Sequence, residues 1–245
     1  MHNPAAHSAV SDALVEFAAI PLMELRVQTA AAQAVAQARE QVAAAGEAAQ
    51  QVAELLQAPS QSHAPNDARV RAWVLGATLA NQAPASPSMP VLAAVIAMGD
   101  KLGASGHEIA AAAAIGIEAA ARVLIAVDSD EFRARWNVAS TVGVLGAALA
   151  IARLHKLDQT RTRHALGIAA TQAAGLARNQ RETMAALETG KAAADAIEAA
   201  LLAKHGFTSA PASIDGRRGF AALMAYRFDA ASIAEGLGSH WVSLD

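Results

Sequence analysis

Glu188 is the side chain with the most chemical potential in this sequence. It follows the apolar run Ala185-Ala186-Leu187, and a carboxylate held in an apolar cleft can act as a proton-accepting base. The same acid would also be favoured, solvated and inert, by the N-terminal end of a following helix. Asn137 carries a similar double reading. Near a helix start its side chain can cap the free amides of the first turn, or it can hold a substrate oxygen, but it cannot exchange a proton near neutral pH. Arg178, Arg181 and Lys191 surround an expected loop, where they either collect an anion or form solvated surface. Glu118 and Arg122 stand four apart in an apolar stretch, the spacing of a structural ion pair on one helix face.

Other chemistries find no support. His63, His107, His155, His164, His205 and His240 are scattered, with no His-x-x-x-His or His-Glu-x-x-His spacing, so no metal site is expected. The sequence holds no cysteine, no glycine-rich phosphate loop and no Gly-x-Ser-x-Gly elbow, and no cofactor is expected. A formal charge of -3, with no basic run interleaved with aromatics, argues against nucleic acid. The absence of cysteine suits a reducing compartment, and the first fifteen residues place Asp12 where an export signal would be apolar, so a cytoplasmic location is expected. Ile109 to Val127 and Trp136 to Ala152 are greasy enough to test as membrane spans. The first contains Glu118 and Arg122 and the second is short, so both read as buried helices.

The elements that must position these residues are helical. Of 245 residues 54% are hydrophobic but only 4% aromatic, an alanine-rich mixture suited to closely packed helices. An amphipathic pattern runs from Pro21 to Gln57, with Val27, Ala31, Val35, Ala38 and Val42 at helical spacing and a break at Gly46. A loop from Pro59 to Asp67 precedes a short helix over Ala68 to Leu79. The stretch Asn81 to Pro90 carries three prolines, which forbid extended regularity and suggest a cleft rim. Further helices are predicted over Val91 to Leu102, Gly106 to Val127, Ala139 to His155, Asp158 to Leu176 and Thr189 to His205. Asp158 suits an N-cap and Gly206 a left-handed helix end. Gly143, Gly146, Ala147 and Ala150 would admit a close neighbour. A last helix is predicted near Ala230 to Gly236. The chain thus divides into N-terminal helices (1–60), a Pro-rich loop (81–90), a helical core (91–220) and a tail (221–245), all within one domain.

A series of short motifs resembles the MmgE/PrpD family, which includes dehydratases, decarboxylases and epimerases of small carboxylic acids. Ser86-Pro87-Ser88-Met89-Pro90-Val91 is similar to its His-Pro-Ser-x-Pro-Val turn, and Leu102-Gly103-Ala104-Ser105-Gly106 to the loop after the next helix. Gly116-Ile117-Glu118 through Arg122 resembles its Gly-x-Glu-x-x-x-Arg helix. The series continues through Leu157-Asp158, Ala165-Leu166-Gly167-Ile168-Ala169, Gly175-Leu176, Gly190-Lys191-Ala192-Ala193, Gly206-Phe207-Thr208 and Asp215-Gly216 to Gly219-Phe220. The resemblance implies an all-α multi-helix bundle, a homodimer built through the helices, and an active site facing a smaller α+β lid. That lid is not expected within this chain.

The resemblance also implies where the chemistry should sit, and there the residues differ. Ser86 stands in the place of the turn's histidine, and Asn137 in that of a second histidine within Trp136-Asn137-Val138-Ala139. Positions 76–86 hold neither the acid nor the histidine expected before the turn. Ahead of Gly190 the family's lysine position falls on Ala185 or Ala186, and its histidine position on Glu188. The expected site is therefore Glu188 as catalytic group, with Ser86, Asn137, Ser140, Thr141, Arg181 and Lys191 as substrate-binding groups, and with positions 86, 137 and 188 around one hollow. Two functions follow as expectations. One is a divergent lyase or isomerase acting on a small carboxylated molecule, less anionic than the family's. The other is a non-catalytic dimerisation or binding subunit that pairs with a lid-bearing relative.

Overall fold

The computed structural model describes residues 8–45, 54 and 67–243. Among them are eleven α-helices and one 3-10 turn, with two isolated β-bridges and no strand, so the fold is an all-α bundle as expected. In chain order the helices are α1 (Ala9–Ala19), α2 (Leu25–Ala44), α3 (Ala68–Gln82), α4 (Ser88–Leu102), α5 (Gly106–Val127) and α6 (Asp130–Arg135). Then follow α7 (Val138–Leu154), α8 (Gln159–Gln172), the 3-10 turn (Ala177–Arg181), α9 (Met184–Lys204), α10 (Phe220–Met224) and α11 (Ala230–Ala234). The expected break at Gly46 and the loop from Pro59 as far as 66 lie outside the described residues.

Helix α7 is the axis of the bundle. All but three of its residues are buried, and α4, α5, α8 and α9 pack around it. Small residues set how near those neighbours come. A Cβ on Gly146 would lie 2.2 Å from the Gly116 carbonyl oxygen, so α5 and α7 cross with backbones in contact, as the glycine and alanine run predicts. Gly190 makes a second such crossing between α9 and α3, where its missing Cβ leaves room for the Trp73 carbonyl. Helix α5 is long and apolar enough to cross a membrane, yet 83% of its most apolar window is buried inside the fold.

Local sequence explains most of the helix starts. Ser105 and Glu108 form a reciprocal capping box on α5, and Asp158 caps α8 by accepting from the Arg161 amide at 2.8 Å. Inside α5, Glu118 and Arg122 pair at 2.6 Å with essentially no exposure. They do more than pair. Arg122 donates to the carbonyls of Glu235 and His240, both at 2.6 Å, while Glu118 accepts from the amides of Val242 and Ser243. The segment expected as a C-terminal tail is thereby drawn into the core. Trp241 completes the attachment, 1% exposed, its ring centroid 5.5 Å from that of Phe17 and its indole N–H donating to Glu24.

Several boundaries differ from expectation, and tertiary contact is the reason at the end of α8 and the start of α9. Helix α1 precedes the first predicted helix and is capped by Ser8. Helix α8 stops at Gln172 rather than Leu176, because 173–176 runs extended and Leu176 bridges to Trp136. Helix α9 begins at Met184 rather than Thr189, since Gly190 is a crossing point within a helix and not a boundary. The Pro-rich loop shrinks to 83–87 between α3 and α4.

Candidate functional site

The N-terminal ends of α7 and α9 meet around a short extended segment. After α8 the chain passes through Gly175 at φ +129, a conformation that a side chain disfavours, and a Cβ there would also fall 2.1 Å from the Ser140 hydroxyl. This turn brings Gly175 against the start of α7, where its carbonyl accepts from the Asn137 amide at 3.1 Å. The neighbouring Ala174 carbonyl accepts from both Ser140 Oγ, at 2.7 Å, and Thr141 Oγ1, at 3.1 Å. The 3-10 turn then leads directly into α9.

Glu188, one turn into α9, is the polar centre of this junction. Its Oε2 accepts from Asn137 Nδ2 at 3.0 Å, and its Oε1 accepts from Asn179 Nδ2 at 2.6 Å and from the Leu176 amide at 3.4 Å. Asn137 occupies the N-cap position of α7 but makes no side-chain cap, and its amide is directed across the junction to Glu188 instead. Likewise Glu188 is half-buried and bonded to two other segments, rather than a solvated acid at a helix start. Two carboxamides thus present their donors to one carboxylate. Such a set can orient a carboxylate and could relay a proton to or from a molecule beside it.

The other expected residues divide. Ser140 and Thr141 are buried and belong to the junction through Ala174. Ser86 is half-buried at the start of α4, where its hydroxyl shares a 2.7 Å hydrogen bond with Ser88. Its turn reaches α7 through Pro87 and Pro90, which press against Gly143. Arg181 is exposed on the 3-10 turn. Lys191 lies on the outer face of α9 and bonds Asp195 at 2.6 Å, and burial pushes the Asp195 carboxyl up against the opposing pull of that lysine. Beside the junction lies a cleft of about 1170 Å³, lined by Trp136 and Ala173 together with Phe207, Leu223, Arg217 and Arg218. Trp136 and Ala173 join this cleft to the junction, and Asn137 and Glu188 do not themselves line it. Asn179 is the participant that sequence reasoning misses. The signal was an amide between two expected loop arginines, and nothing local marks it as Glu188's partner.

Comparison with known proteins gives the family of this chain. Human (Homo sapiens) cis-aconitate decarboxylase is 33% identical over 144 residues, which take in 57% of this chain and 30% of that protein, so the chain spans less than a third of that relative's length. The sequence model of the MmgE/PrpD N-terminal domain matches residues 78–232, from the end of α3 through the Glu188 junction to α11. With more than half its length matched and the helical architecture in place, the chain belongs to the MmgE/PrpD family.

Proposed function

We propose that this chain carries a divergent lyase or isomerase site for a small carboxylated molecule at the Asn137–Glu188 junction. The carrying observation is the 3.0 Å contact between Asn137 and Glu188, which come from separate helices and occupy positions where the family resemblance places catalytic groups. In this reading Glu188 removes a proton from the carbon next to a substrate carboxyl. The C–H bond breaks, its electron pair moves toward that carboxyl, and the proton goes to Glu188. Asn137 and Asn179 hold the Glu188 carboxylate in place. The named relative acts on cis-aconitate, a tricarboxylate. Glu188 adds negative charge where the resemblance implies a histidine, so the substrate here presents a neutral or cationic group at that point. Arg217 and Arg218 supply cations for its carboxylate in the adjoining cleft.

The test is turnover of a panel of di- and tricarboxylates, and of their monoamides, followed by proton NMR in deuterated water. Exchange or loss of the proton next to the carboxyl is expected, and Glu188→Gln should lower kcat by about a hundredfold or more. Unchanged turnover in that variant overturns the role of Glu188, and no reaction with any of the panel overturns the site.

A second reading rests on a different feature: both Glu188 oxygens already accept protein donors, so the junction is a complete structural unit without a ligand. On that reading the chain is a binding subunit, either a homodimer through the helices or a partner of a longer relative. Light scattering after size exclusion, with the chain alone and mixed with a lid-bearing relative, separates the two. A monomer in both runs removes this reading.

A further inference from the structure

A second cleft, of about 770 Å³, lies where the C-terminal ends of α7 and α9 meet the α4–α5 turn and the end of α1. It is far from the junction. Asn137 and Arg153 stand at opposite ends of α7, roughly 25 Å apart at 1.5 Å per residue, and Glu188 and Lys204 span α9 similarly. Its volume falls within the range of small-molecule sites.

The charges around this cleft are unbalanced. Arg153, Lys156 and Lys204 line it with Glu108 as its one carboxylate. Glu108 is already engaged by the Ser105 amide and hydroxyl, and it reaches Lys156 only at 3.6 Å on an exposed surface. Arg153 directs one nitrogen to the carbonyls of Ala18 and Ile20, both at 2.8 Å, and has no carboxylate partner among the described residues. Lys204 is in the same condition. Its ammonium donates to His155 Nδ1 at 3.3 Å, a neutral partner. That contact leaves the imidazole proton on Nε2, which is buried without a hydrogen-bond partner. Burial first, and then Lys204, push the His155 imidazole down to about 4, so the ring is uncharged at neutral pH. Helix dipoles explain a cation at each C-terminal turn. They do not explain Lys156, which lies past the end of α7 in the left-handed conformation at φ 53, a place that glycine would hold without strain. The remaining wall is apolar at Ala18, Leu102, Ala111, Leu154 and Leu157, with His107 and Thr162 as its other polar side chains.

We propose that this cleft is a binding site for a small organic anion, a compound with two or more carboxylates whose carbon body rests on Leu102, Leu154 and Leu157. Lys204, Lys156 and Arg153 provide its positive charge. The inference is independent of whether Glu188 performs chemistry, because no residue is shared between the two places.

The probe is citrate, titrated into the intact chain by calorimetry at low ionic strength, with inorganic phosphate as the second arm. Citrate should bind with a Kd of about 1 mM or tighter, and Lys156→Gln combined with Lys204→Gln should weaken it about tenfold. Both lysines are exposed, so the fold should survive, and circular dichroism checks that it does. Amide chemical shifts should move at Gly103, His155 and Lys156 and stay fixed at Asn137 and Gly175. Phosphate, lacking a carbon body, should bind more weakly. The proposal is overturned if citrate does not bind, if the double variant binds it equally well, if phosphate binds as tightly as citrate, or if the shifts cluster at Gly175.

Discussion

Glu118 and Glu188 are both carboxylates set within helices of an alanine-rich bundle, yet the protein treats them differently. Glu118 has no exposure, faces an arginine from its own helix and accepts from the amides of 242 and 243. Glu188 is half-buried, faces no cation among the described residues and is held by two carboxamides from separate segments. The difference lies in what each arrangement can release. A buried ion pair whose remaining donors and acceptors are filled by backbone cannot exchange partners without exposing a charge to the core. A carboxylate held by neutral amides loses far less if one of them turns away, and a ligand can replace it. The first arrangement closes the fold, whereas the second suits a site.

The largest expected effect tests the closed half of that contrast. Arg122→Met leaves Glu118 buried without its cation and frees the carbonyls of 232–240, so urea unfolding should show a loss of about 3–5 kcal/mol. Replacing both partners, with Glu118→Gln added, should recover part of it. A loss below about 1 kcal/mol for the single change would mean that the pair is not a keystone. Next in size is Gly175→Ala. The added Cβ would fall 2.1 Å from Ser140 Oγ, on a backbone at φ +129, and the strain should cost about 2–3 kcal/mol. That change should also separate Asn137 from Glu188, visible as altered amide shifts at Asn179, while Val242 and Ser243 remain unaffected.

The same contrast explains what is legible in the sequence. The Glu118–Arg122 pair can be read directly, because its four-residue spacing lies on one helix and local periodicity carries it. Their grip on 232–243 cannot, since backbone carbonyls and amides carry no residue signature. The helix register of α4, α5 and α7 is legible for the same local reason, as is the capping role of Asp158. The capping box of Ser105 and Glu108 stands in the sequence as a recognised spacing, although Gly103 and Gly106 are the more obvious punctuation. At the junction, Asn137 and Glu188 stand out as side chains able to do chemistry, and the family resemblance is what groups them around one hollow. Their partner Asn179 does not stand out, because the extended path of 173–176 that brings it near is imposed by pairing between Leu176 and Trp136. The start of α9 is misplaced for a related reason. Gly190 looks like a helix breaker until the Trp73 carbonyl is seen to occupy the space of its side chain.

A smaller effect tests the open half. Glu188→Gln keeps an acceptor for one of the two asparagines but turns an N–H toward the other, so one hydrogen bond is lost and stability should fall by only about 1 kcal/mol. The expected signature is a small change in urea midpoint beside a large change in turnover. A loss as large as that of Arg122→Met would put both carboxylates in the same class and remove the contrast.

The smallest expected effect separates the two ends of α7. His155, at the cleft end, has its imidazole pushed down to about 4 by burial and by Lys204, against an ordinary value of 6.5. Between those two values the unfolded chain binds a proton that the folded chain refuses, so stability rises with pH across that window. Its contribution is complete above about pH 6.5 and is lost as pH falls toward 4. Because the ring is only partly buried, less than about 1 kcal/mol is expected between pH 7 and pH 5. His155→Gln should flatten this dependence in urea midpoints taken between pH 7 and pH 5, whereas Glu188→Gln, at the other end of the bundle, should leave the His155 component in place. A pH dependence that survives in His155→Gln would locate the proton elsewhere and detach the cleft from acid sensitivity.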